Sequence, residues 1–253
     1  MSIVRDNDRI RTDLVIANRI LSNEEVVDAY GHVSVRDPHN PSHFFLAHSI
    51  APSLVTQEDI VEHDLDANPV GPETRPLYLE RSIHAGIYAA RPDVNAVVHA
   101  HAEATLPYGI TAEVPLRPVI HSGSFMGAQV PVWDIADRFG DTNLLVTNMD
   151  QARDLAATLG SHHAALMRGH GFVAVAQSLI EVVRLSVYIP RNARVLTQAF
   201  MLGGKVKSLS PGEIDRRNAE AYGPYAPATW RAWEYWAGRC GCGHMVTKPE
   251  HPE

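Results

Sequence analysis

Val94-Asn95-Ala96-Val97-Val98-His99-Ala100-His101 is a short, β-branched apolar run that ends in two histidines. Such a run reads as a buried strand. Residues two apart in a strand point to the same side. His99 and His101 therefore leave one strand end together, as two imidazoles grasping one ion would. Spacing alone serves a pair of partly buried core histidines equally well. A third imidazole stands in Arg168-Gly169-His170-Gly171, behind another apolar stretch. Its flanking glycines permit close backbone approach to a bound group. His162 and His163 are rival third ligands on a segment that reads as a helix-to-strand turn, and they rank below His170. Glu80 lies upstream on a helix predicted over 78–90, where it shares a face with His84. Three histidines and a carboxylate suit one divalent transition metal ion and point to a metal-dependent lyase.

Outward from this centre, the pattern is that of one α/β domain. Residues 8–29 have helical spacing (Ile10, Leu14, Val15, Ile20, Leu21, Val26), with Gly31 as the stop. Residues 32–36 alternate as a strand, 37–42 form a turn cluster, and 43–47 return as the second arm of a hairpin. A third strand is expected over 60–65. Arg91-Pro92-Asp93 ends the helix that precedes the central strand. Residues 105–130 are interrupted by Pro and Gly, with short strands expected around 117–121. Residues 144–147 read as a strand, with Asn148 or Asp150 capping a helix through Leu159. Runs 164–167 and 172–175 are strand-like and flank His170. Residues 178–203 are helical, with Pro190 expected to kink or split the helix. There is no internal repeat. We divide the chain into a catalytic domain, 1–208, and an aromatic tail, 209–253. Tyr222, Tyr225, Trp230 and Trp233 of the tail are expected to cap a neighbouring subunit's site or to pack an oligomer. Cys240-Gly241-Cys242-Gly243-His244 lacks the second ligand pair of a structural zinc site and reads as a flexible tail.

The bulk numbers exclude several classes. The 253 residues are 45% apolar and 20% charged, with a formal net charge of −7, which suits a soluble globular domain with a full core. No basic stripe points to nucleic acid, and no apolar stretch reaches membrane-spanning length. The polar, acidic start is unlike a signal peptide. Two cysteines, both near the end, fit a cytoplasmic protein without structural disulfides. Histidine, at 14 residues, is the outlier, and several follow strand-like runs beside glycine.

From about residue 10 to 205 the chain resembles the class II aldolase/adducin family. The resemblance rests on an ordered set: Gly31-His32-Val33-Ser34-Val35-Arg36, Glu80, the block from Arg91 to His101, and Gly169-His170-Gly171. It implies a three-layer α/β/α fold around a mainly antiparallel sheet, assembled as a homotetramer. It also implies that His99, His101 and His170 are metal ligands and Glu80 the acid/base carboxylate. The ion is zinc, or manganese, iron or cobalt, since three imidazoles accept each of them.

The departures narrow the substrate. Sugar-phosphate aldolases of this family hold phosphate with an Asn after the first glycine, a Thr/Ser-Gly loop and a Ser-Ser pair before the glutamate. Here those positions read His32, Ser49-Ile50-Ala51-Pro52 and Tyr78-Leu79. The replacements resemble a decarboxylase branch that acts on hydroxylated aromatic dicarboxylates. A small aromatic carboxylate is therefore the expected substrate, with a metal-dependent aldolase on a non-phosphorylated substrate as the alternative. His32, Arg36, Ser49, Arg81, His84 and His121 are the candidate substrate contacts, and a structural ion pair serves Arg36 and Arg81 equally well.

Overall fold

The structure, a computed structural model, describes residues 3–221, 223 and 226–248. Tyr222 and Tyr225 lie outside the described residues. In chain order the elements begin with α1 (Ile3–Asn23), β1 (His32–Arg36), β2 (His43–Ala47) and β3 (Ile60–Asp64). There follow α2 (Arg81–Ala90), β4 (Ala96–Ala100), α3 (Leu106–Ile110), β5 (Val132–Trp133) and α4 (Ala136–Phe139). The remainder is α5 (Met149–Leu159), β6 (Ala164–Met167), β7 (Gly171–Ala176), α6 (Leu179–Met201), α7 (Pro211–Ala221) and α8 (Pro227–Arg239).

The run before His99 becomes β4, the middle strand of a seven-stranded sheet ordered β3-β2-β1-β4-β7-β6-β5. Every pairing is antiparallel except that of β5 with β6. Strand alternation sends Val98, Phe172 and Ala174 to one face, against Leu14 and Ile20 of α1, Val183 of α6 and Trp233 of α8. Val97, Val173 and Val175 go to the other face, against Ile83 and Ile87 of α2 and Leu155 of α5. Both faces are covered, which is why these strands read as unbroken apolar runs. The result is the three-layer α/β/α architecture expected. No helix among the described residues is long and apolar enough to cross a membrane.

Several local expectations change. The first helix spans Ile3–Asn23, ending eight residues before Gly31. No strand forms over 117–121: Asn192 Oδ1 accepts from the Val119 and Ile120 N–H groups, and a 3₁₀ turn follows over His121–Met126. Residues 144–147 form no strand either, because side chains take their backbone donors. Leu144 N–H donates to Thr142 Oγ1, Leu145 N–H to Asn143 Oδ1, Val146 N–H to Glu80 Oε1 and Thr147 N–H to Gln151 Oε1. Asn148, not Asp150, caps α5 by accepting from Gln151 N–H. α6 runs unbroken through Pro190, whose neighbours Ile189 and Ala193 are fully buried. Tertiary burial there outweighs the lost backbone donor.

The stretch after residue 208 folds onto its own chain. Trp230, Trp233 and Trp236 are buried in the core shared with α1 and α6, while Tyr235 is exposed. The 240–244 run is not a loose tail: it closes α8 and leads into a 3₁₀ turn, with Cys242 fully buried.

Candidate metal centre

The sheet register assembles the centre. His99 is the penultimate residue of β4, and His101 follows the strand's last residue. The turn from β6 to β7 carries His170, and β7 pairs with β4 through Phe172 opposite Ala100. The three imidazoles thus meet across one strand pair. His101 Nε2 lies 3.0 Å from His99 Nε2 and 3.0 Å from His170 Nε2. Glu80 sits at the N-terminal boundary of α2 rather than within it. Its Oε2 stands 3.4 Å from both His99 Nε2 and His170 Nε2. Val146 N–H holds its Oε1, while His84 faces His32 and Ser34, so a hydrogen bond along the helix face is not what positions Glu80.

The donor chemistry fits a bound cation. His99 Nδ1 faces Phe172 O at 3.1 Å, and His170 Nδ1 faces Leu144 O at 2.9 Å. A carbonyl only accepts, so those rings carry their protons on Nδ1 and aim lone pairs from Nε2 at His101. One hydrogen at most, on His101 Nε2, then serves two 3.0 Å contacts. A divalent ion among the three nitrogens and Glu80 Oε2 satisfies all of them. Burial lowers His101 to about 4, so it is in the neutral, ligating form at neutral pH. Burial also opposes charge on Glu80, but the contacts with His99 and His170 outweigh it and hold the carboxyl well below its usual range. The same contact raises His170, against the opposing effect of its burial. Phe172 and Leu144, whose carbonyls orient two imidazoles of the cluster, and Val146, whose N–H holds Glu80 Oε1, are positions that sequence reading missed. They act through the backbone, so side-chain identity carries no signal.

A cavity of about 370 Å³ opens beside Glu80 and His101. Gly31, His32, Ser49, Ile50, Ala51, Tyr78 and Leu79 line it. All three departures from the sugar-phosphate pattern therefore face one space. Tyr78 OH donates to Ile50 O, joining two of those segments.

The other predicted contacts separate. His32 and Ser49 reach the cavity. His84 is fully buried behind His32, with Nε2 2.6 Å from His32 Nδ1. Arg36 does not reach the cavity: its guanidinium donates to the carbonyls of Pro41, Tyr88, Val94 and Arg91. Arg81 likewise donates to Ala67 O and Tyr78 O. Among the described residues neither makes the ion pair weighed as the alternative. His121 lines a different cavity, beside Arg184 and Arg217. The rival ligands His162 and His163 stay outside the cluster. Gly171 lies close against the Ala100 carbonyl of the adjoining strand.

Residues 12–197 match the family described as "Class II Aldolase and Adducin N-terminal domain". The chain is 40% identical over 196 residues to a protein of Talaromyces stipitatus named decarboxylase tropJ, spanning 72% of this chain and 73% of that one. It is 27% identical over 221 residues to the 3,4-dihydroxyphthalate decarboxylase of Arthrobacter keyseri, spanning 81% and 84%. The fold resembles L-fuculose 1-phosphate aldolase from Glaciozyma antarctica (TM-score 0.72, 22% identity, 94% of each chain). It also resembles an aldolase II superfamily protein from Pseudomonas syringae (TM-score 0.77, 21% identity, 95% and 96%). With its ordered motifs, its sheet and its histidine–glutamate cluster, the chain belongs to the class II aldolase and adducin family.

Proposed function

We propose that this protein is a metal-dependent carboxy-lyase that removes CO2 from a hydroxylated aromatic carboxylate. The single observation behind this reading is the placement of Tyr78, Leu79, Ile50 and His32 around one cavity that Glu80 and His101 of the cluster also line. Bulky and apolar groups stand where a phosphate dianion needs small donors, and they suit the face of a ring. The decarboxylases to which the chain is similar support the same class of substrate.

His99, His101 and His170 would hold the ion, with Glu80 Oε2 in the same cluster. When bound, a divalent ion supplies a Lewis acid beside the breaking carbon–carbon bond. The Phe172 and Leu144 carbonyls keep the His99 and His170 rings aimed inward. Val146 N–H fixes Glu80 Oε1 and leaves Oε2 to handle protons. Glu80 first takes up a proton, which the negative charge of bound substrate beside it favours, and passes it from Oε2 to the ring carbon as the bond to CO2 breaks. The electron pair of that bond becomes the new C–H bond, and Glu80 recovers a proton through the open cavity. Tyr78 and Leu79 hold the ring and keep water from its faces. The same reading makes the enzyme a homotetramer of the cytoplasm, in keeping with the family resemblance and with two free thiols, Cys240 and Cys242.

The test is CO2 release from zinc- or manganese-loaded protein given 3,4-dihydroxyphthalate, a hydroxypyridine dicarboxylate and simpler ortho-hydroxybenzoates, with His99→Ala as control. Release that needs both metal and His99 is expected. Metal-loaded protein that frees no CO2 from any of them refutes the decarboxylase and directs the search to aldol products.

A further inference from the structure

Behind the cavity wall, four buried polar side chains stand in single file. His32 Nδ1 is 2.6 Å from His84 Nε2. His84 Nδ1 is 2.6 Å from Ser34 Oγ, and Ser34 Oγ is 2.8 Å from the Tyr88 hydroxyl. Two periodicities build the file: His32 and Ser34 are two apart on β1, and His84 and Tyr88 are four apart on α2. All four are buried, His84 and Ser34 completely.

Counting hydrogens gives the file a direction. Each imidazole carries at least one N–H, and at 2.6 Å only one hydrogen fits between two facing atoms. The Tyr88 hydroxyl has one hydrogen. Among the described residues its hydrogen-bond partner of good geometry is Ser34 Oγ, at 2.8 Å. The Arg36 guanidinium on the ring face accepts nothing. Tyr88 therefore donates to Ser34, and Ser34 donates to His84 Nδ1. That leaves the His84 hydrogen on Nε2, donated to His32 Nδ1. The His32 hydrogen must then sit on Nε2. Reversing the file would strand a buried phenolic hydrogen without an acceptor. His32 lines the cavity, and among the described residues its Nε2 has no hydrogen-bond partner.

We propose that the Tyr88–Ser34–His84 file locks His32 in its Nε2–H tautomer, making His32 a hydrogen-bond donor to an anionic oxygen of the substrate. The identity of that oxygen, carboxylate or phenolate, rests on the function proposed above, whereas the lock rests on hydrogen counting alone. His84, Ser34 and Tyr88 are positioning residues; His32 touches substrate. A fixed donor favours ligands that place an acceptor beside Glu80 and rejects those that offer only hydrogens there. This assigns His84 a role that it cannot fill by direct contact.

Neutron diffraction from perdeuterated, zinc-loaded crystals reads the lock without any turnover. Deuterium is expected on Nε2 of both His32 and His84, and deuterium on His32 Nδ1 overturns the lock. Tyr88→Phe removes the terminal donor, and Ser34→Ala breaks the file by a smaller change. In each, deuterium should divide between the two His32 nitrogens; unchanged full occupancy of Nε2 in both variants overturns the lock as well. Calorimetric binding of phthalate, an inert dicarboxylate, tests the donor role. His32→Ala should weaken it about tenfold or more, and His32→Gln, which keeps an N–H, should recover part of the loss. Equal weakening in both variants, or no binding of phthalate to the wild type, overturns that role. A protein that frees no CO2 yet carries deuterium on His32 Nε2 overturns the decarboxylase and leaves the lock intact.

Discussion

Gly171→Ala tests whether the metal centre depends on how closely β4 and β7 approach. Gly171 begins β7 immediately after His170, and its backbone φ is not left-handed, so the constraint is one of space. A Cβ there would lie 2.2 Å from Ala100 O and 3.1 Å from both Ala100 C and His101 Cδ2. Relieving the first contact even to 3.0 Å parts the two backbones by about 0.8 Å. His99 and His101 are on one side of that gap and His170 is on the other. Metal sites accept deviations of about 0.2 Å in ligand distance, so the opening exceeds the tolerance severalfold. Zinc affinity should fall by about 10–100-fold, as when a ligand's orienting partner is lost. Overpacking should also cost about 1–3 kcal/mol, or about 2–4 °C in Tm for each kcal/mol in a chain of this size. Competition titration against a chromophoric chelator reads the affinity, and calorimetry reads the Tm. Gly212→Ala, where a Cβ meets nothing within 4 Å, is the control and should change neither. A folded Gly171→Ala protein that binds zinc within twofold of wild type refutes the reasoning.

Three further outcomes are expected. Glu80→Gln should abolish CO2 release while zinc binding stays largely intact; full activity in that variant removes Glu80 from the proton transfer. Arg36→Ala leaves four carbonyls without their donor and should lower stability by about 3 kcal/mol in urea unfolding, with KM unchanged. A raised KM at unchanged stability would restore the substrate-binding role read from sequence. Burial lowers His63 to about 4, so between pH 6.5 and 4 the unfolded chain takes up a proton that the folded chain refuses. Stability from this group is complete above pH 6.5 and is lost as pH falls, by about 3 kcal/mol in all. His63→Gln should flatten the urea midpoint over that window by a corresponding amount, and an undiminished pH slope would show that other groups carry it.

What was legible in the chain followed from local periodicity and short motifs. The β4 run, the hairpin of β1 and β2, and the strands on either side of His170 are set by alternation and turn residues within a few positions. The projection of His99 and His101 to one side follows from strand geometry alone. The illegible parts have backbones satisfied by side chains rather than by a neighbouring strand. Residues 144–147 look like a strand, yet Glu80, Gln151 and two turn side chains take their N–H groups. Residues 117–121 likewise yield to Asn192. Arg36 and Arg81 look like free cations for a carboxylate, because composition does not show that backbone carbonyls already surround them. The file behind His32 did have a signal, the two-residue spacing of His32 and Ser34 and the four-residue spacing of His84 and Tyr88. Only contact between β1 and α2 joins the two pairs.

The sequence by itself determined the ligand types, the strand that carries two of them, and the family to which their order belongs, since these depend on residue chemistry and short-range geometry. The tertiary structure decided the rest. Pairing of β7 with β4 brings His170 to within 3.0 Å of His101 across 69 residues of chain. Packing of 144–147 on the start of α2 orients Glu80 and His170 together. Burial, which no single position reveals, separates the histidines that can meet a ligand from those that only steer their neighbours.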